Sequence, residues 1–61
     1  MINNYRVDVF FRGKHYKIEF PEYWLAKEAA KAYANDKEAR VFLLIKDSIG
    51  GFDVNECWNV D

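Results

Sequence analysis

The sequence predicts an α+β fold: one ββαββ domain over residues 1–61, with a four-stranded antiparallel sheet in order 2-1-3-4 and one helix on one face. Three observations predict it. Two stretches of strict apolar–polar alternation flank Arg12-Gly13. An alanine-rich segment, Leu25 to Ala34, comes next. The run Val41-Phe42-Leu43-Leu44-Ile45 then precedes a Gly-Gly turn and a third alternating stretch. A strand that is apolar on both faces is covered on both faces. A chain of 61 residues covers one face of a sheet by itself, so what covers the second is the main functional question.

Met1 to Asn4 is a polar start, expected to fray. Tyr5 to Phe11 places Tyr5, Val7, Val9 and Phe11 on one face, and His15 to Phe20 places Tyr16, Ile18 and Phe20 on one face. Arg12-Gly13 suits a two-residue hairpin loop, because glycine tolerates positive φ. That loop pairs Phe11 with Lys14, Val9 with Tyr16, Val7 with Ile18 and Tyr5 with Phe20. The other face then sets Asp8 opposite Lys17, Arg6 opposite Glu19 and Phe10 opposite His15. The two opposite-charge pairs are worth roughly 0.2–1 kcal/mol each. A one-residue slip would destroy both patterns.

Pro21 ends the strand and suits a first helical turn, and Glu22 suits the helix dipole. No Ser, Thr, Asp or Asn stands at the N-cap, so the start is weakly specified. Leu25, Ala26, Ala29, Ala32 and Tyr33 fall on one helical arc, expected to face the sheet. Asn35-Asp36 begins the exit. After the apolar strand, Gly50-Gly51 as the loop would pair Val41 with Val60, Leu43 with Trp58 and Ile45 with Glu56. Phe52, Val54, Trp58 and Val60 would then share the helix side, with Glu56 as the exception. The glycines also permit a bulged loop, which would change which face Phe42 joins. A right-handed crossover gives the order 2-1-3-4.

The uncovered face would hold an apolar centre of Phe10, Phe42 and Leu44, with Cys57 beside it, inside a rim that includes Arg6, Arg40, Lys46 and Asn59. Apolar patches rimmed by polar groups mark protein contacts. The alternatives are that Phe42 and Leu44 pack among long Lys and Arg stems, or that Phe42 is core. Trp24 falls on the helix arc away from Leu25 and Ala29, a second candidate anchor unless it folds over the sheet edge. The expected partner-binding residues are therefore Phe10, Phe42, Leu44, Trp24, Arg6 and Arg40.

Net charge is −1, with +2 in residues 1–20, +1 in 21–46 and −4 in 47–61. That balance argues against a phosphate-driven nucleic-acid binder. Sheet-face aromatics still allow a single-stranded nucleic-acid module as the alternative, with bases stacked on Phe10 and Phe42. A basic second strand (Lys14, Lys17) and an acidic last strand (Asp53, Glu56) point to a homodimer or higher contact. Cys57 is the one cysteine, which fits a reducing, cytoplasmic setting. One Cys and one His cannot make a four-ligand zinc site. No signal-peptide pattern and no apolar stretch of membrane length is present. His15 has no carboxylate or nucleophile expected near it. Asp47, Asp53 and Glu56 surround the Gly-Gly turn without calcium-loop spacing. No phosphate loop, metal motif or nucleophile elbow points to a cofactor or to catalysis. The expectation is a small non-enzymatic binding module that docks its sheet face on a larger protein or on a second copy. An inhibitor or adaptor role of the phage or mobile-element type fits that size.

Overall fold

The computed structural model describes residues 2–61. Strands β1 (Tyr5–Phe11) and β2 (Lys14–Phe20), helix α1 (Tyr23–Ala34), and strands β3 (Arg40–Lys46) and β4 (Phe52–Trp58) follow in that order. The sheet order is β2-β1-β3-β4 with every neighbour antiparallel. The α+β fold and its ββαββ arrangement are those the sequence predicts.

The first hairpin has the expected register, from Tyr5↔Phe20 to Phe11↔Lys14. Arg12 and Gly13 take φ of +50° and +78°, the mirror-image turn whose twist matches that of the strands. The two expected cross-strand ion pairs do not form. Asp8 stands opposite Lys17 and Arg6 opposite Glu19, but the Asp8 carboxylate is held by Arg6 and His15 instead. Residues two apart on a strand share a face, and the guanidinium fork fits a carboxylate bidentately. At the chain start, Met1 lies outside the described residues. Asn4 does not simply fray: its carbonyl accepts the Lys46 N–H at 2.8 Å, extending the β1–β3 ladder.

Glu22 takes the N-cap position with extended backbone and no side-chain hydrogen bond, so Pro21 precedes the cap rather than entering the first turn. Ala26, Ala30 and Ala34 are the buried helix residues. The helix is therefore rotated from the expected arc: Leu25 and Tyr33 are exposed on one flank. Alanines four apart form a low ridge that lets the backbone approach β1 and β3 closely. They pack with Val7, Val9, Val41 and Leu43. The rotation also carries Tyr23 and Lys27 to the β4 flank. There the Tyr23 hydroxyl donates to Glu56, and the Lys27 ammonium pairs with the other Glu56 oxygen. Lys27 also lies over the Trp58 ring, 5.3 Å from its centroid. The hydrogen bonds from Lys27 and then Tyr23 hold the Glu56 carboxyl below its ordinary range. The same contacts raise the Lys27 and Tyr23 pKa values.

The last hairpin departs from its expected register. Val41 pairs with Trp58 and Leu43 with Glu56, but Leu44 pairs with Val54. Asn55 is the extra residue of a β-bulge, which locally turns one side of the strand to the other. Glu56 and Trp58 therefore face the helix, whereas Phe52 and Val54 face away from it. The expected helix-side placement of Phe52 and Val54 is corrected on this ground. The loop is also longer than Gly50-Gly51. The Asp47 N–H donates to the Gly51 carbonyl at 2.8 Å, and Gly50 takes φ of +92°. The Asp47 carboxylate accepts the Ile49 and Gly51 N–H groups at 3.0 and 2.8 Å. A Cβ on Gly51 would lie 2.9 Å from that carboxylate and would push it aside, disturbing its two hydrogen bonds.

Asn59 does not sit on the uncovered face. At φ of +60° its amide donates to the carbonyls of Ala34 and Ala39, both at 2.9 Å, and of Asp36 at 3.2 Å. It ties the end of β4 to the end of α1, satisfying carbonyls that a helix terminus leaves orphaned. Among the described residues, no helix is long and apolar enough to cross a membrane, and no group of three metal-ligating side chains converges.

Candidate protein-docking face

The face of the sheet away from α1 carries the even-numbered residues of β1 and β3. From β1 it takes Arg6, Asp8 and Phe10; from β3 it takes Arg40, Phe42, Leu44 and Lys46. Their register sets Arg6 beside Leu44, Asp8 beside Phe42 and Phe10 beside Arg40. The bulge adds Phe52 and Val54 from β4.

Asp8 organises the polar half of this face. It is 6% exposed although no second layer covers it. Arg6 grips both carboxylate oxygens, Nε at 2.7 Å and Nη2 at 3.1 Å. His15 Nε2 lies 3.0 Å from Oδ2. A buried carboxylate requires such partners. The expectation that no carboxylate stands near His15 is thus overturned: the hairpin register puts His15 two pairs further along from Asp8, the next pair on the same face and within reach of it. Both partners are themselves covered by aromatic rings. The Arg6 guanidinium lies 4.7 Å from the Phe52 ring centroid, a cation–π contact. His15 stacks on Phe10 with centroids 4.0 Å apart.

The apolar half runs across three strands. Phe10 meets Phe42 edge to face at 5.7 Å. A shallow hollow of about 240 Å³ is lined by Asp8, Phe10, Phe42, Leu44 and Val54. Leu44 is 7% exposed, so it forms the floor of the hollow and a small second core. Phe10 and Val54 form its walls and remain 41% and 57% exposed. Arg40 is exposed at the rim.

Of the six expected contact residues, Phe10, Phe42, Leu44, Arg6 and Arg40 share this face. Trp24 does not join them. It is 73% exposed on the far side of α1, packed edge-on against Tyr23. Cys57, opposite Phe42, is exposed. Two groups on the face lie beyond the expected set: the Asp8–His15 clamp and the Phe52–Val54 pair. The signal for the second was Glu56. One carboxylate on an otherwise apolar strand side marks either a partnered charge or a change of facing, and here it marks both. No known protein family, curated protein or solved structure matches this chain.

Proposed function

We propose that the chain is a non-enzymatic protein-docking module that holds a larger protein against the open face of its sheet, as an inhibitor or adaptor does. One observation carries this reading: Phe10, Phe42 and Val54 form a continuous apolar strip over Leu44, across three strands, with no layer of the described residues above it. Such a strip inside a polar rim suits the core-and-rim build of a protein interface. The polar side chains nearest the strip favour protein over nucleic acid. The Arg6 charge is answered by Asp8, which removes it from phosphate binding. One face of the Phe10 ring is occupied by His15, which leaves less ring for a base to stack on. The exposed thiol of Cys57 suits the reducing cytoplasm as the place of action.

Capture from a native extract tests the proposal. The immobilised chain should retain a protein that Phe10→Ala/Val54→Glu does not retain, and raising salt should weaken retention only slightly. Equal retention by the double variant would refute the open-face reading. Salt-sensitive binding of a single-stranded oligonucleotide, lost in Phe10→Ala, would replace it with the nucleic-acid alternative.

A further inference from the structure

Strand β2 is an outer strand of the sheet, and its free edge is paired with no other strand among the described residues. A two-residue loop makes its flanking residues, Phe11 and Lys14, a hydrogen-bonded pair, and such pairs alternate along the ladder. The backbone groups of Tyr16 and Ile18 therefore turn to β1, and those of His15, Lys17 and Glu19 turn outward. An edge of unpaired N–H and C=O groups is a template for another strand.

Beside that edge, α1 leaves part of the sheet bare. Because its alanine ridge sits over β1 and β3, a groove of about 600 Å³ remains along β2, with Phe11, Tyr16, Ile18 and Tyr33 in its walls. Tyr16 is 46% exposed. The apolar side of β2 is thus only partly covered: Phe20 packs against the core, Ile18 is half-buried and Tyr16 is left exposed.

The charges on this edge indicate what fits it. Lys14, Lys17, Glu19 and Glu22 take part in none of the ion pairs formed among the described residues. Their order is antisymmetric about Ile18. Lys17 and Glu19 flank it directly, and Lys14 and Glu22 stand equally far out on either side. A second β2 laid antiparallel across a twofold axis at Ile18 sets Lys17 against Glu19 and turns Lys14, the first residue of the strand, toward Glu22 at the helix N-cap just beyond its end. On the helix side it sets Tyr16 against Phe20 and Ile18 against its own copy. The outward backbone groups of Lys17 and Glu19 meet as hydrogen-bonded pairs in that same register. A shift of two residues either way brings Lys17 against Lys17 or Glu19 against Glu19. A shift of one sends the apolar side chains to the wrong face. Edge lysines ordinarily discourage pairing; here each one has a glutamate at its mirror position.

We propose that β2 is a homodimerisation edge: two copies join through antiparallel β2 strands centred on Ile18, forming one continuous sheet and closing both grooves over a shared Tyr16–Ile18–Phe20 seam. The contact is isologous, so it closes at two copies. Its twofold axis stands perpendicular to the sheet and leaves both open faces on the same side. The dimer stands on the edge and groove alone and does not depend on what the open face binds.

Sedimentation of the whole chain from micromolar to millimolar concentration, with amide hydrogen exchange under the same conditions, tests this. The expected result is a monomer–dimer equilibrium that weakens with salt, with protection of the Lys17 and Glu19 amides growing as concentration rises. Lys17→Glu turns two opposite-charge pairs into like-charge pairs and should raise the dimer Kd roughly tenfold. Glu19→Lys should do the same, and the two together should restore the dimer by reversing each pair. Lys17 stands opposite Asp8 and Glu19 opposite Arg6 within the parent hairpin, so thermal unfolding of each variant is measured alongside and the dimer Kd is compared at temperatures where every variant is folded. A monomer at every concentration would overturn the proposal. So would a dimer indifferent to both reversals, a double variant that fails to recover, or open-ended growth through β2 meeting the Asp53 edge of β4.

Discussion

The two faces of the sheet are finished in different ways. On the helix side, Val7, Val41 and Leu43 are fully buried under a ridge of alanines. That face is closed by a layer of the chain itself. On the open side, Leu44 and Asp8 are nearly as deeply buried, yet no second element lies over them. Neighbouring side chains do the covering: the Arg6 stem and Val54 flank Leu44, and Arg6 with His15 encloses Asp8. Side chains within one layer can shield the groups between them but leave their own outer surfaces wet. The difference explains why Leu44 is dry although only one side of the sheet is finished. It also locates the unfinished part, at Phe10, Phe42 and Val54.

The largest expected effects test whether the open side has a core of its own. Leu43→Ala should cost about 2–5 kcal/mol in urea unfolding, a large share of the stability of so small a domain. Leu44→Ala should cost about 2 kcal/mol, because its side chain is covered although its face is not. A Leu44→Ala cost within ~0.5 kcal/mol of zero would break the comparison, leaving one core rather than two.

The clamp comes next. Asp8→Ala should cost about 1–3 kcal/mol, because it leaves Arg6 and His15 without their acceptor beneath two aromatic rings. Asp8→Asn should cost less, since it keeps one acceptor oxygen. Equal stability of both variants and the parent would mean the open face is held by apolar contact alone.

The closed side has its own polar seam, which gives a smaller, pH-dependent effect. Glu56 has its pKa lowered, so its stabilisation is present above the unfolded carboxylate value of about 4.3. It is lost as pH falls through the lower folded value. Lys27 and Tyr23 have raised pKa values, and their share is present at neutral pH and lost as pH rises through those values above about 10. Thermal unfolding of Glu56→Gln should therefore sit below the parent at neutral pH and converge on it in acid. A constant gap between the two down to acid pH would remove Glu56 ionisation from the seam.

The two hairpins show how far such detail can be read in a sequence. Tyr5 to Val9 and His15 to Phe20 alternate residue by residue, and only one register satisfies both faces, so pairing and loop follow directly. In β4, Phe52, Val54, Glu56 and Trp58 stand two apart with Glu56 as the one polar member, while their facing changes at Asn55. Periodicity alone does not separate a bulge from a partnered charge, since either puts a carboxylate into an apolar series. The rotation of the helix is also hidden in the residue types. Leu25 and Tyr33 look like core residues by type, but the small Ala26, Ala30 and Ala34 allow the closer approach, and that rotation is what brings Tyr23 and Lys27 to Glu56. Phe10, Phe42 and Leu44 on one face were legible because they depend on strand parity. The Asp8 clamp was not, because a carboxylate with a lysine directly opposite gives no sign that it will choose a neighbour on its own strand.

The smallest expected effects on stability fall on the residues with the largest expected role. Val54→Ser should change unfolding free energy by about 0.5 kcal/mol or less, since its side chain is more than half exposed, and Phe10→Ala by about 1 kcal/mol, since it gives up the ring contacts with His15 and Phe42. The most direct measurement is side-chain NMR of the chain with its captured protein partner. Resonances of the Phe10 ring and the Val54 and Leu44 methyls should shift or broaden, while the Leu25 methyls and the Trp24 indole stay unchanged. Perturbation confined to Trp24 and Leu25, with Phe10 and Val54 unmoved, would place the contact on the helix and contradict the open face as the docking surface.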